Sequence, residues 1–563
     1  MVDNPMGSVV FVLHTHLPWV LGHGRWPHGE SWLYEAAAEC YVPLLQMLDR
    51  LATEAPDVRL TLGMTPVLTE SLVSPRFREG FLTYLEERRG QAERDREDFH
   101  VQGDTPAERQ AVAWSAFYRT IRTDFEARLG SDLVAGFRRL QDAGLIEIIT
   151  SAATHGYLPL LGRDESVAAQ IRCGISSYQR HFGRAPRGVW LPECAYRPRG
   201  PWSRPVGPPR SWTRPGLEDV LARHHLRYFF VDTHLVVGGV PLGTYDDRFE
   251  ERRLDATAPA RGFSPNEAHV LRAERGRPQV AVLARDPGTS VQVWSADYGY
   301  PGDGAYLEFH RKKRAGGLRY WRITDRRLPL EAKLPYEPKD AEARVRAHAE
   351  HFTGFVRQTL ADHRDRTGRP GVVVAPFDTE LFGHWWFEGL AWLEAVLRDL
   401  RGDVDTRTAS EYLEHNPPRS LVRLPEGSWG QGGHHWVWLN DGTLWVWELV
   451  YRAEDAFAEA LGSAGDAPDP LSQRILRQLA RELLLLEASD WPFLITTVAA
   501  HDYAEARSRL HFETFEWLLG IARRTAEGPI SSEDLTRLSQ LEERDSLFPE
   551  IDLRWWAREP ASP

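Results

Sequence analysis

Short apolar runs recur through the first 380 residues: Ser8–Leu13, Leu60–Leu62, Ile146–Ile149, Gly188–Leu191, Tyr228–Val231, Val280–Leu283 and Val372–Val374. Each is apolar on consecutive positions, the pattern of strands covered on both faces in a parallel sheet. Between them, Ser31–Thr53, Ala107–Ala143, Val167–Phe182 and Asp340–Asp365 are amphipathic at helical spacing. Strand alternating with helix predicts an α/β chain, either a barrel or a doubly wound sheet.

The residues just past the strands separate those two. The runs lead into His14-Thr15-His16, Thr154-His155-Gly156, Pro192-Glu193, Asp232-Thr233-His234 and Phe377-Asp378-Thr379-Glu380. Reactive side chains at the ends of so many strands converge on one mouth in a barrel, whereas an open sheet spreads them along an edge. The sequence therefore predicts a distorted (β/α) barrel over residues 1–400. Two stretches interrupt the alternation: 198–215, with six prolines (198, 201, 205, 208, 209 and 215), and the polar, poorly periodic 237–278. Both leave from the strand-end side, and 198–278 is expected to hold a small inserted subdomain acting as a lid over the mouth. After Arg401 helices dominate, at Leu471–Glu487, Tyr503–Thr525 and Ser532–Glu542, so 401–563 reads as a mainly helical C-terminal domain.

Charge narrows the partners. Sixty-eight Lys+Arg against 80 Asp+Glu give a net charge of −12, which offers no support for nucleic acid or an anionic membrane. The three cysteines, Cys40, Cys173 and Cys194, have no metal-ligand spacing and are too few for a disulfide framework, which fits a reducing cytoplasm. The first residues carry no basic segment, and Val9–Leu13 is too short for a signal or spanning helix, so neither export nor a bilayer is expected. Tryptophan is unusually frequent, 21 against 23 Phe. Most should be core, but Trp429, Trp436, Trp438, Trp445 and Trp447 cluster among Gly and His, as platforms for sugar rings would.

Glu193, directly after a buried strand, and Asp378, in the same setting on another, are costly to desolvate unless paired or used. Two carboxylates over one aromatic mouth are the apparatus of glycoside cleavage, one attacking the anomeric carbon and one protonating the leaving oxygen. Position alone leaves Asp232 and Glu380 competing for these roles. A second reading starts from the histidines. His14 and His16 point to one side of a strand end, and with His155, His234 and Asp378 they could hold a divalent metal, as in a carbohydrate deacetylase or amidohydrolase.

The segments His14-Thr15-His16-Leu17-Pro18, Trp190–Tyr196, Ala375–Trp386 and Ala488-Ser489-Asp490-Trp491-Pro492-Phe493-Leu494 occur in the order seen in glycoside hydrolase family 57. Along nearly its whole length the chain resembles that family's 1,4-α-glucan branching enzymes. The resemblance implies an incomplete (β/α)7 barrel, a retaining mechanism with neither metal nor other cofactor, and an α-1,4-glucan as donor and acceptor; a monomer is favoured. Carried over motif by motif, Glu193 is the nucleophile and Asp378 the general acid/base. His14, His16 and His155 line the donor subsite, and Arg285, Trp294, Gly302, Trp429 and Asp490 match glucan-contacting positions. Tyr245 matches the loop tyrosine that favours transfer over hydrolysis. A 4-α-glucanotransferase or α-amylase of the same family is the nearest alternative.

Overall fold

The computed structural model describes residues 6–245, 251–253, 263–274, 277, 279–295, 298–465, 468–525 and 528–557. Among them, seven parallel strands build the barrel wall: β1 (Gly7–Thr15), β2 (Leu60–Met64), β3 (Ile146–Ser151), β4 (Gly188–Trp190), β5 (Tyr228–Val231), β6 (Val280–Ala284) and β7 (Gly371–Asp378). Their spatial order is β7-β1-β2-β3-β4-β5-β6. Strand β1 is buried along its whole length because β2 and β7 flank it in the sheet and helices cover its outer face.

Alternation along the strands positions the chemistry. On β1, Val9, Phe11 and Leu13 belong to the outer core, where Phe11 stacks on Phe352 of the helix Pro338–Thr367. Val10 and Val12 instead join Ile149, Trp190, Phe230, Leu283, Val372 and Val374 in an apolar plug inside the barrel. Counting upward by two from that plug reaches His14 on β1, Asp232 after β5, Arg285 after β6 and Asp378 on β7. The periodicity that fills the barrel thus aims these polar side chains at its mouth, and the β1–β7 register sets His14 beside Asp378.

The wall does not close by a ladder between β6 and β7. Asn266 stitches that seam: its carbonyl accepts from the Val372 amide at 2.9 Å, and its side-chain amide donates to Val372 O at 3.1 Å and Asp286 Oδ2 at 3.2 Å. The Asp286 amide adds a bond to Val374 O at 2.8 Å. The free edge of β6 is taken by His269–Leu271, antiparallel to it, and the sheet continues through Ser420–Arg423 to Val240–Tyr245 and Glu251–Arg253. Pairing hides an edge that would otherwise be open to other chains. Asp405–Thr406 also pairs with β1, so the sheet draws on chain beyond residue 401.

The span 198–278 is two separate insertions, because the helix Leu217–Arg223 and barrel strand β5 lie inside it. The proline-rich part forms the hairpin Gly200–Ser203/Ser211–Arg214. Trp202 and Trp212 meet edge to face, and buried Arg214 lies 4.5 Å from the Trp202 ring centre while pairing with Asp164 at 2.6 Å. Arg204 pairs with Asp455 at 2.7 Å, which fastens the hairpin to the helix Leu444–Ala464. The helix Pro75–Gln102 is polar around most of its circumference and buries one narrow stripe, Phe77, Phe81, Tyr84, Leu85, Ala92 and Phe99. It is held by packing against Thr105–Thr123 and by ion pairs such as Arg89–Glu86 and Arg122–Glu86. No helix among the described residues is long and apolar enough to cross a membrane.

Candidate active site

A cavity of about 750 Å³ opens at the C-terminal ends of the strands. His14, His16, His155, Glu193, Arg285, Trp294, Asp378, Trp429 and Asp490 all line it. Gly302 does not: it sits in the short turn Tyr300–Gly302, where an added Cβ would meet the Arg326 guanidinium. The backbone of Tyr245 ends the strand Val240–Tyr245, and its side chain lies outside the described residues.

Glu193 comes after β4 through Leu191 and Pro192 and adopts φ +61°, with Cys194 at +49°. Left-handed backbone at two consecutive non-glycine residues is strained, and here it turns the Glu193 carboxylate into the cavity while Cys194 stays in the barrel plug. Both carboxylate oxygens are held: Trp429 Nε1 donates to Oε2 at 2.8 Å, and Ser489 Oγ to Oε1 at 3.1 Å. Burial, reinforced by the charge of Asp490, pushes its pKa up to about 7. Asp378 has no hydrogen bond to its carboxyl among the described residues and faces the cavity. Burial first, then the charges of Glu380 and Glu193, hold its pKa well above the usual carboxylate range, which keeps a proton available for donation.

The two competing carboxylates are already engaged. Asp232 is gripped bidentately by Arg285, at 2.6 and 3.1 Å, and accepts the Thr233 amide. Glu380 accepts from the Tyr41 hydroxyl at 2.6 Å and the His16 amide at 3.1 Å. Asp232 does not line the cavity, whereas Glu380 lines it together with Glu193 and Asp378.

His14 lies flat on Trp190, ring centres 4.6 Å apart, and its Nε2 is 3.1 Å from His155 Nε2. Burial, then the neighbouring histidines, lowers both pKa values well below 6.5. At His16 burial pulls the same way, but the charge and hydrogen bond of Asp490, 3.1 Å from Nε2, together with the charges of Glu380 and Glu193, outweigh it and the pKa rises. His16, His155 and Asp490 bring ligand-type atoms within 4.8 Å of one another. Their nitrogens are spent, however: His16 on Thr65 and Asp490, His155 on Ser489 and His14. The raised pKa of His16 favours a proton over a metal there, and His234, wanted for the metal set, binds the Gly433 carbonyl and does not line the cavity.

The tryptophan cluster divides. Trp429 holds Glu193, and Trp438 lines the cavity while packing on Tyr157. Trp447 is buried and donates to the Trp438 carbonyl, Trp445 packs under Arg509, and Trp436 is exposed. Sequence reasoning assigned no role to Ser489, Trp385, Phe493 or Gln431, which touch Glu193 or line the cavity. The first three stand inside motifs already singled out.

The glycosyl hydrolase family 57 profile matches residues 10–425, and the profile described as 1,4-alpha-glucan branching enzyme, C-terminal, matches 449–556. The chain is 43% identical to a 1,4-alpha-glucan branching enzyme of Thermococcus kodakarensis, over 96% of this chain and 77% of that one. The crystal structure of a family 57 branching enzyme from Pyrococcus horikoshii superposes with a TM-score of 0.88 at 40% identity, covering 99% and 98% of the two chains. An α-amylase of Thermotoga maritima gives 0.80 at 31% identity, covering 98% and 99%. A match over most of the barrel, carried through by sequence identity into the helical region, shows that the chain belongs to glycosyl hydrolase family 57.

Proposed function

We propose that this chain is a 1,4-α-glucan branching enzyme that works by double displacement with retention. Glu193 attacks the anomeric carbon of an internal α-1,4 bond as Asp378 gives its proton to the departing O4, leaving the glucan chain as an ester on Glu193. Asp378, now a carboxylate, takes the proton of an acceptor C6 hydroxyl, which attacks the same carbon and frees Glu193 with an α-1,6 branch formed. Two inversions give net retention. The observation that carries this reading is the division of labour among the mouth carboxylates: Glu193 held by two donors, and Asp378 without a hydrogen bond among the described residues and with its pKa raised well above the carboxylate range.

Transfer must beat water, so orientation of a bound acceptor supplies the selectivity. Tyr245 is assigned that task, and Tyr245→Ala is expected to release more reducing ends per branch formed. The three buried free thiols fit a cytoplasmic setting. The deciding experiment is incubation with amylose, enzymatic debranching and chain-length analysis. New short chains appearing only after debranching support branching. Reducing ends without α-1,6 linkages would instead give the chain the hydrolytic activity named for the Thermotoga maritima relative.

A further inference from the structure

We propose that Ser489, supplied by the C-terminal helical region, is the positioning residue of Glu193, and that it closes a one-way hydrogen-bond relay running His14, His155, Ser489, Glu193. The proposal rests on the reading of Glu193 as nucleophile. The contacts form an unbroken chain: His14 Nε2 to His155 Nε2 at 3.1 Å, His155 Nδ1 to Ser489 Oγ at 2.8 Å, and Ser489 Oγ to Glu193 Oε1 at 3.1 Å. The backbone locks the register, because the Ser489 amide donates to the His155 carbonyl at 3.0 Å and Gly156 bridges to Ala488.

The direction of the relay is set by one atom. His14 Nδ1 is buried without a partner. An orphaned buried N–H is rarer than an under-used acceptor, so that nitrogen carries the lone pair and the His14 proton sits on Nε2. His155 Nε2 must then accept, which places the His155 proton on Nδ1, donating to Ser489 Oγ. With its oxygen occupied as acceptor, the serine hydroxyl has its hydrogen free for Glu193. Both imidazoles are neutral in this arrangement, in keeping with their burial. Two stacked, neutral rings therefore fix a hydroxyl rotor, and the donor ends on a carboxylate that burial would otherwise protonate.

Other groups face the same carboxylate. Asp490 disfavours its charge and His16 favours it; Asp378 and Glu380 line the same cavity. Arg285 acts on Asp378, while Tyr157, Cys194 and the ring of His155, 3.9 Å from Oε1, are neutral neighbours. Among these only Ser489 and Trp429 donate a hydrogen bond to Glu193.

Ser489→Ala is expected to shift the acid limb of kcat/KM for amylose cleavage to higher pH by about one unit or more, with KM little changed. Ser489→Thr, which keeps the hydroxyl, should restore the limb. An unshifted limb in Ser489→Ala, with Glu193→Gln inactive, overturns the relay and leaves the nucleophile assignment standing. Glu193→Gln that still cleaves amylose removes that assignment. Neutron diffraction from wild-type crystals tests the relay independently of any variant. Protons on His14 Nε2 and His155 Nδ1 are expected, and a proton on His14 Nδ1 or His155 Nε2 overturns it.

Discussion

His16, His155 and Asp490 at the barrel mouth, and Glu482, His511 and Asp545 in the helical region, are alike in composition and in compactness. Each trio holds its polar atoms within 4.8 Å and sits largely out of water. In the second, every group is answered. Glu482 accepts from His511 Nδ1 at 2.7 Å and from Gln478 at 3.0 Å, and His511 Nε2 accepts from Arg507 at 2.9 Å. Asp545 meets His23, from the loop after β1, at 2.6 Å and Arg544 at 2.7 Å. That cluster ties the helices Pro470–Leu486, His501–Thr525 and Ser532–Arg544 to the barrel. The mouth differs in two respects: Asp378 has no hydrogen bond among the described residues, and a cavity reaches it. Clustering of titratable groups thus marks an active site only where a group is left unpaired and accessible.

The hardest way to break this comparison is to remove the mouth carboxylates. Glu193→Gln and Asp378→Asn should each lower the cleavage rate by ~10³-fold or more, since covalent and general-acid steps depend on them. The fold should not suffer. A folded pKa raised to about 7 means that ionising Glu193 opposes folding once the pH exceeds the ordinary value. Glu193→Gln should therefore raise the melting temperature at pH 8, and raise it less at pH 5, where the folded carboxyl is already protonated. Calorimetry at the two pH values checks the sign; a loss of stability at pH 8 contradicts it.

The second cluster should respond in reverse. His511→Ala leaves the buried Glu482 carboxyl and the Arg507 guanidinium without their shared partner, at a cost of about 1–3 kcal/mol for each stranded group. Denaturant titration reads that loss, while activity per folded molecule should stay within twofold of wild type. A cluster whose loss abolished turnover at full stability would be catalytic after all.

Much of this contrast is legible in the sequence, and the illegible part has a physical cause. The strand runs place seven barrel strands, and alternation along β1 and β7 carries His14 and Asp378 to one mouth. Which carboxylate is free cannot be read that way. Asp232 and Glu380 are engaged by Arg285 and Tyr41, partners 53 and 339 residues away in the chain. Ser489 likewise reaches Glu193 from 296 residues away, through a backbone bridge that leaves no local pattern. The proline-rich stretch forms a hairpin whose direction is set by Arg204 and Asp455, again a distant pair.

The mouth should also declare itself in pH dependence. The nucleophile must be ionised, so cleavage should fall about tenfold per pH unit below roughly pH 7, the value to which burial raises Glu193. Asp378 must be protonated, so activity is lost again as pH rises through its elevated pKa. The two carboxyls interact, and the limbs belong to the pair as macroscopic values. In His511→Ala, assayed while folded, both limbs should stay in place; a moved limb would show that the two clusters are electrically coupled.

The smallest expected effect concerns the rim above the mouth, which has no counterpart in the helical cluster. Trp385 lines the cavity and is 53% exposed, with Phe309 stacked on it at 4.3 Å. Its place is fixed from below: buried Arg319 donates to the His384 carbonyl at 3.0 Å and pairs with Glu39 at 2.7 Å, and His384 Nδ1 lies 3.2 Å from the same carboxylate. A flat, half-exposed ring on a rigid support suits the apolar face of a glucose unit, and one such contact is worth about 0.5–1.5 kcal/mol beyond its buried area. Trp385→Ala should raise KM for amylose several-fold, leave kcat for short maltooligosaccharides unchanged and leave the melting temperature alone. Trp385→Phe should recover most of the affinity. If KM for long and short chains rises equally, the ring belongs to the reacting subsite instead of the rim. If neither rises, the mouth binds its glucan without this platform.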